Sequence, residues 1–175
     1  MSTLTSSPIK LLIDTDPGID DCHAITIALS APNVQVVGLT CVCGNTSLAN
    51  GIRNLHYLLH TLNRKDISIY RGAERAIDGR QKYAPHIHGQ DGFGNITIGK
   101  NIDIDLLADE PAAVAMVRLA REYRGELVIA AIGPLTNLFL AHRLDPEFSR
   151  NLKQVYIMGG NCTIPRFQTL SGNVR

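Results

Sequence analysis

Residues 9–45, "IKLLIDTDPGIDDCHAITIALSAPNVQVVGLTCVCGN", decide the fold. The apolar run 9–14 predicts a strand, 22–31 a helix that stops before Pro32, and 34–44 a second strand, nearly apolar throughout. A strand buried on both faces has that composition, and strand, helix, strand in this order is the unit of a parallel sheet. Between the first strand and the helix stand four aspartates within eight positions: Asp14, Asp16, Asp20 and Asp21. Two like charges about 4 Å apart repel by roughly 4 kcal/mol at an effective dielectric of about 20. A bound cation, a shared proton or plain solvent has to offset that cost.

The rest of the chain repeats the rhythm. Leu48, Ile52, Leu55, Leu59 and Leu62 recur at helical spacing over 48–62, and a short strand follows at 67–70. A helix is expected after Pro111, with Val114, Val117 and Leu119 toward the core, then a strand in 126–133, a helix over 135–143 and a strand in 154–160. The pattern predicts an α/β fold: an open, mostly parallel sheet with helices on both faces and a Rossmann-like core. Residues 72–100 break the rhythm with six glycines, two histidines and a proline. Long irregular loops in compact domains are often functional. After "MGGN" the sequence runs to Arg175 with no helix following the last strand, so the sheet is expected to be partly bare and the sequence reads as interrupted.

At 175 residues the chain suits one domain. With 45% hydrophobic residues, 19% charged residues and a net charge of +1, it offers no electrostatic case for nucleic acid or an anionic membrane. No apolar run approaches the roughly 20 residues of a membrane helix. Residues 1–8 lack the features of a signal peptide and are expected to be a disordered lead-in, which makes the cytoplasm the expected compartment. Cys22, Cys41, Cys43 and Cys162 have no zinc-site spacing and read as small reduced residues, Cys41 and Cys43 in the core.

Ligands of open parallel sheets sit at the carboxyl ends of the strands. Asp14 and Asp16, two apart at such an end, are expected to face the same side. Pro17 and Gly18 turn the chain, and Asp20 and Asp21 fall in the first helical turn, where the helix dipole favours negative charge. Capping needs one carboxylate, not four. Oxygen donors at short spacing suit a hard cation, Ca²⁺ or Mg²⁺, and His23, inside the helix, reads as a packed or surface residue. Asn45, Asn137, Met158 and Asn161 stand at further strand ends on the same rim. The residues alone support a metal-dependent hydrolase with a small polar substrate. "LLIDTD" also fits the opening of the haloacid dehalogenase phosphatases, although Pro-Gly-Ile-Asp-Asp follows where that family has a small turn.

The whole pattern resembles the inosine–uridine-preferring nucleoside hydrolases. "DTDPGIDD" (14–21) is similar to that family's signature, and "GN" (44–45), "HGQDGFG" (88–94), "AIGPLTN" (131–137) and "IMGGN" (157–161) follow in the family's order. The resemblance implies a Ca²⁺ enzyme that cleaves the N-glycosidic bond of a ribonucleoside, releasing ribose and base. By matching position, Asp16 is the general base and a calcium ligand, Asp21 a second ligand, and Ile132 a third through its carbonyl. Asp20 and Asn45 bind ribose hydroxyls, Met158 lines the pocket, His88 faces the sugar or base, and Asp14 orients the cluster. Asn173 stands where a ribose-contacting Asn is expected, although the residues before it look altered.

The resemblance also implies a homodimer or homotetramer, and only the N-terminal half of a full-length member. Members continue with a Glu-Phe-Asn segment and a further Asp ligand that this sequence lacks. An active hydrolase and a truncated, inactive relative both remain open.

Overall fold

The computed structural model describes residues 7–160. Asn161, Cys162, Asn173 and most of the 1–8 lead-in lie outside the described residues. The first half of the described chain runs β1 (Ile9–Thr15), α1 (Ile19–Ser30), β2 (Val34–Cys41), α2 (Leu48–Thr61), β3 (Ile69–Arg71) and α3 (Pro85–His88). The second half runs β4 (Leu107–Ala108), α4 (Ala112–Glu122), β5 (Leu127–Ala131), α5 (Thr136–Leu144), α6 (Phe148–Asn151) and β6 (Gln154–Ile157).

The strands form one sheet in the order β4-β3-β2-β1-β5-β6, and every pairing is parallel. The chain winds outward from β1 through β2 to β4 and then returns to its other side with β5. The strand order therefore reverses between β1 and β5, and the crevice outside their carboxyl ends is where such sheets bind ligands. The aspartate turn leaves β1 at that point.

Alternation along the strands builds two cores. Ile13, Leu39 and Cys41 pack with Cys22 and Ile25 of α1 and with Leu48, Ile52, Leu55 and Leu59 of α2. Leu12, Leu127, Ile129 and Ala131 pack on the opposite face with α4, Ala141 of α5 and Phe148 of α6. The expectation for α4 needs correction: Val114 is 44% exposed, and the buried stripe is Ala112, Ala115, Met116, Leu119 and Ala120. With the helix starting at Ala112, the 3.6-residue period turns position 114 outward. Alanines on the inner stripe let the helix lie close to the sheet.

Strand ends shift by a few residues from their predicted positions, because pairing partners rather than composition end a strand. β2 stops at Cys41, and α1 begins at Ile19, ahead of the predicted start. The two-residue β4 and the short α3 and α6 have too few residues for a periodic signal. His23 is exposed. β6 is an edge strand, with Tyr156 59% and Ile157 52% exposed. No helix among the described residues is long and apolar enough to cross a membrane.

Leu39 is fully buried in the central sheet, whereas Ile27 of α1 is 71% exposed. Leu39→Ala is expected to lose about 2–5 kcal/mol in urea unfolding. Ile27→Ala should stay within about 0.5 kcal/mol.

Candidate functional site

The site grows from the end of β1, where alternation sends neighbouring side chains to opposite faces. Asp14 points toward α5 and is fully buried. Its Oδ1 accepts from Thr40 Oγ1 of β2 at 2.7 Å and from Asn137 Nδ2 of α5 at 2.8 Å. Asn137 Oδ1 of the same side-chain amide in turn accepts from the Ala73 N–H at 2.8 Å. Thr15 points the other way, and its hydroxyl donates to Asp21 Oδ1 of α1 at 2.6 Å. Asp21 Oδ2 accepts from the Gly18 N–H and from Asn45 Nδ2, both at 3.2 Å. Asp21 thus caps α1 and also joins the site.

Asp16 lies past the strand, between the loops that follow β2 and β5. Its Oδ2 accepts from the Asn45 N–H at 2.8 Å, and Asn45 Nδ2 donates back to the Asp16 carbonyl at 3.1 Å. Both loops bring glycine here for room. A methyl on Gly44 would overlap the Asp16 carboxylate, and one on Gly133 would stand 3.0 Å from Asp16 Oδ1 and 2.8 Å from its backbone nitrogen. The Ile132 and Gly133 N–H groups donate to the Asp14 carbonyl at 2.9 and 3.2 Å, which holds the post-β5 loop against the turn.

Asp20 is exposed on the rim, with Oδ1 3.8 Å from Nδ1 of the buried His88. His88 comes from α3, far along the chain, and its Nδ1 accepts from the Ile19 N–H at 3.3 Å. Met158 stands at the carboxyl end of β6, its N–H bonded to the Ala131 carbonyl at 2.9 Å and its residue 46% exposed. The structure therefore gathers Asp14, Asp16, Asp21, Asn45 and His88 around the β1 turn, with Asp20 at its edge and Met158 farther out. Asn173 lies outside the described residues.

Burial dominates the electrostatics. It pushes the Asp14 carboxyl up to about 7, although the Asn137 and Thr40 hydrogen bonds pull the other way. It pushes Asp21 up to about 6 against the Thr15 hydroxyl and the Gly18 N–H. Asp16 rises well above the ordinary carboxylate range, through burial first and the Asp21 charge second. Asp14 Oδ2 and Asp16 Oδ1 are buried oxygens with no hydrogen-bond partner.

An unpartnered buried carboxylate oxygen is costly unless a cation or a proton satisfies it. Oxygen donors from Asp16 and Asp21 fit a hard divalent cation in kind. They are few against the roughly six to eight oxygens that Ca²⁺ takes. Among the described residues no group of three or more His, Cys, Asp or Glu side chains is placed to hold a metal ion. Asp14 is hydrogen-bonded through Oδ1 alone, to Thr40 and Asn137.

The residues that sequence reading missed are supports. Thr15 and Thr40 are hydroxyls inside strands, and Thr40 in an otherwise apolar stretch was the available signal. Asn54 and Asp91, both buried, join the aspartate turn to the 88–100 loop.

A carboxyl whose pKa rises on folding binds protons more tightly in the folded chain than in the unfolded one. Stability should therefore fall as pH rises from the usual carboxylate range through about 6 for Asp21 and about 7 for Asp14. In chelator the urea midpoint is expected to decline across that window, with Asp14→Asn removing the upper part of the slope. An unchanged slope in that variant would contradict the assignment.

The sequence matches the family described as inosine-uridine preferring nucleoside hydrolase over residues 11–175. It is 41% identical over 157 residues to a probable uridine nucleosidase 2 of Arabidopsis thaliana, covering 86% of this chain and 47% of that protein. It is 33% identical over 157 residues to the non-specific ribonucleoside hydrolase RihC of Salmonella newport (strain SL254), covering 90% of this chain and 50% of that protein. The solved structure of a plant nucleoside hydrolase, the PpNRh1 enzyme, superposes with a TM-score of 0.82 at 36% identity, covering 88% of this chain and 48% of that one. The chain spans about half the length of the curated relatives it matches. Nothing in these likenesses supports the phosphatase alternative. With the family match running through the β1 turn and the same sheet beneath it, the chain belongs to the inosine-uridine preferring nucleoside hydrolases.

Proposed function

We propose that this chain binds a ribonucleoside and hydrolyses its N-glycosidic bond with Ca²⁺ as cofactor, releasing ribose and free base. The observation that carries the reading is the Asp16 carboxylate. It is buried, held at Oδ2 by the Asn45 N–H, and left without a partner at Oδ1. A fixed carboxylate with one free oxygen is what a general base or an oxygen ligand needs.

In this reading Asp16, Asp21 and the Ile132 carbonyl hold the ion. Ca²⁺ bound there supplies positive charge that orients the ribose hydroxyls and lowers the pKa of the attacking water. Asp16 takes that water's proton as its oxygen adds to C1′, the electron pair of the C1′–N bond leaves with the base, and the base takes up a proton from solvent while Asp16 returns its own to bulk water. The sugar passes through an oxocarbenium-like state, which the surrounding carboxylates stabilise as charge develops. Asp20 and Asn45 bind ribose hydroxyls, His88 faces the sugar or base, and Met158 lines the pocket. Asp14 keeps the end of β1 in place. The reading carries with it a cytoplasmic location and a homodimer or homotetramer, the latter open to sedimentation analysis.

A second reading has its own support. The donors of this site are few against the roughly six to eight oxygens that Ca²⁺ takes, so a family member that keeps the cation cradle without turnover is the alternative. Ribose release from inosine and uridine, with Ca²⁺ and then with chelator, separates the two. The first reading expects chelator-sensitive release that Asp16→Asn lowers by about 100- to 10,000-fold. The second expects Ca²⁺ binding by calorimetry without ribose release. Folded protein that neither binds Ca²⁺ nor releases ribose would sink both.

A further inference from the structure

Residues 88–100 are fastened to α2 by a stripe at helical spacing, Asn50, Arg53, Asn54 and Tyr57. Arg53 Nη2 donates to the Thr97 and Lys100 carbonyls at 3.3 and 3.0 Å. The Tyr57 ring meets Phe93 edge-on at 6.2 Å, and Asn50 Nδ2 reaches the Gln90 carbonyl at 3.4 Å. Within the loop the Asp91 carboxylate gathers the Phe93 and Asn95 N–H groups at 2.7 and 2.8 Å on Oδ1. Its Oδ2 takes the Thr97 N–H at 2.8 Å and the Thr97 hydroxyl at 2.6 Å. The loop is thus a built element, and the Gly94 N–H closes it onto the His88 carbonyl at 2.7 Å.

Asn54 differs from the rest of the stripe. It is fully buried, and its amide serves two separate parts of the site. Nδ2 donates to the Asp91 carbonyl at 2.9 Å and to the Pro17 carbonyl at 3.5 Å, while Oδ1 lies 3.4 Å from the Thr97 hydroxyl oxygen, whose proton goes to Asp91. Pro17 belongs to the aspartate turn, and Asp91 to the loop that carries His88. The two segments meet a second time where the Ile19 N–H donates to His88 Nδ1 at 3.3 Å. A neutral ring accepting at Nδ1 carries its proton on Nε2, so this contact also sets the tautomer.

We propose that Asn54 is a positioning residue that holds the His88 loop in register with the Asp16–Asp21 turn. The proposal rests on the functional reading above for its catalytic meaning, but its geometry can be tested without turnover. Asn54→Leu keeps the side-chain length and the helix while removing both donors. In ¹⁵N-labelled protein the variant is expected to lose at least tenfold amide-exchange protection at Ile19 and Thr97. Ile129, in the distant core, should keep its protection. The His88 ring nitrogens should also move from the Nε2–H pattern toward an averaged one.

In protein that releases ribose, kcat should fall at least tenfold while KM changes less than threefold, since misplacement acts on the reacting geometry. Absence of ribose release from the parent chain would count against the functional reading alone, because the exchange and ring signals are still read. Uniform loss of protection including Ile129, or an unchanged Ile19 amide and His88 ring, would overturn the proposal. Asn54→Asp, which keeps the shape but lacks the N–H donors, is read in the same way where the leucine variant does not fold. If neither folds, Asn54 is a general requirement for folding, and the positioning role is overturned.

Discussion

A carboxylate buried at the end of the middle strand is the demand around which the rest of this molecule is arranged. Asp14 has no solvent, and leaving it without donors would cost several kcal/mol. The donors come from β2 on one side and α5 on the other, and both reach the same oxygen. Satisfying one acid therefore ties together three segments far apart in the chain. Through Asn137 the tie extends to Ala73, which opens the long loop after β3. The other Asp14 oxygen keeps no partner, so the support is itself under electrostatic tension.

The same strand end splits into two hydrogen-bonded systems because a strand alternates its side chains. Asp14 works into the α4–α5 layer, and Thr15 into the α1 layer through Asp21. Asp16 begins where the strand has ended, free to lean into the gap between the loops after β2 and β5. That gap exists because the sheet's winding reverses there. Gly44 and Gly133 leave it open, since a side chain at either position would crowd the Asp16 carboxylate. Fold topology makes the crevice, and two missing side chains keep it accessible to a carboxylate.

How much of this could be read in advance depended on whether a contact was local. The crossover β1-α1-β2 and the stripe on α2 were legible, because apolar periodicity reports burial directly. Val114 was misread, since the register of α4 depends on where the helix starts. The aspartate turn was legible as a site because four acids in eight positions need a reason. Asp21 caps α1 through the Gly18 N–H and also bonds Thr15 and Asn45, so capping and cluster membership meet in one residue. Thr40, Asn54 and Asp91 were not picked out, as each is an ordinary polar residue until its distant partner is known.

By itself the sequence determined the parallel α/β architecture, the acidic turn after the first strand and the oxygen-rich chemistry of that turn. These follow from composition and spacing over short stretches, where each residue's neighbours are also its physical surroundings. Only the tertiary structure decided which donors each acid receives: Thr40 and Asn137 for Asp14, Asn45 for Asp16, and Thr15, Gly18 and Asn45 for Asp21. It alone brought His88 to Ile19 across 69 positions and made Asn54 the bridge between turn and loop. Desolvation and hydrogen-bond partnership act over a few ångströms in space, and the chain does not encode that distance as separation along itself.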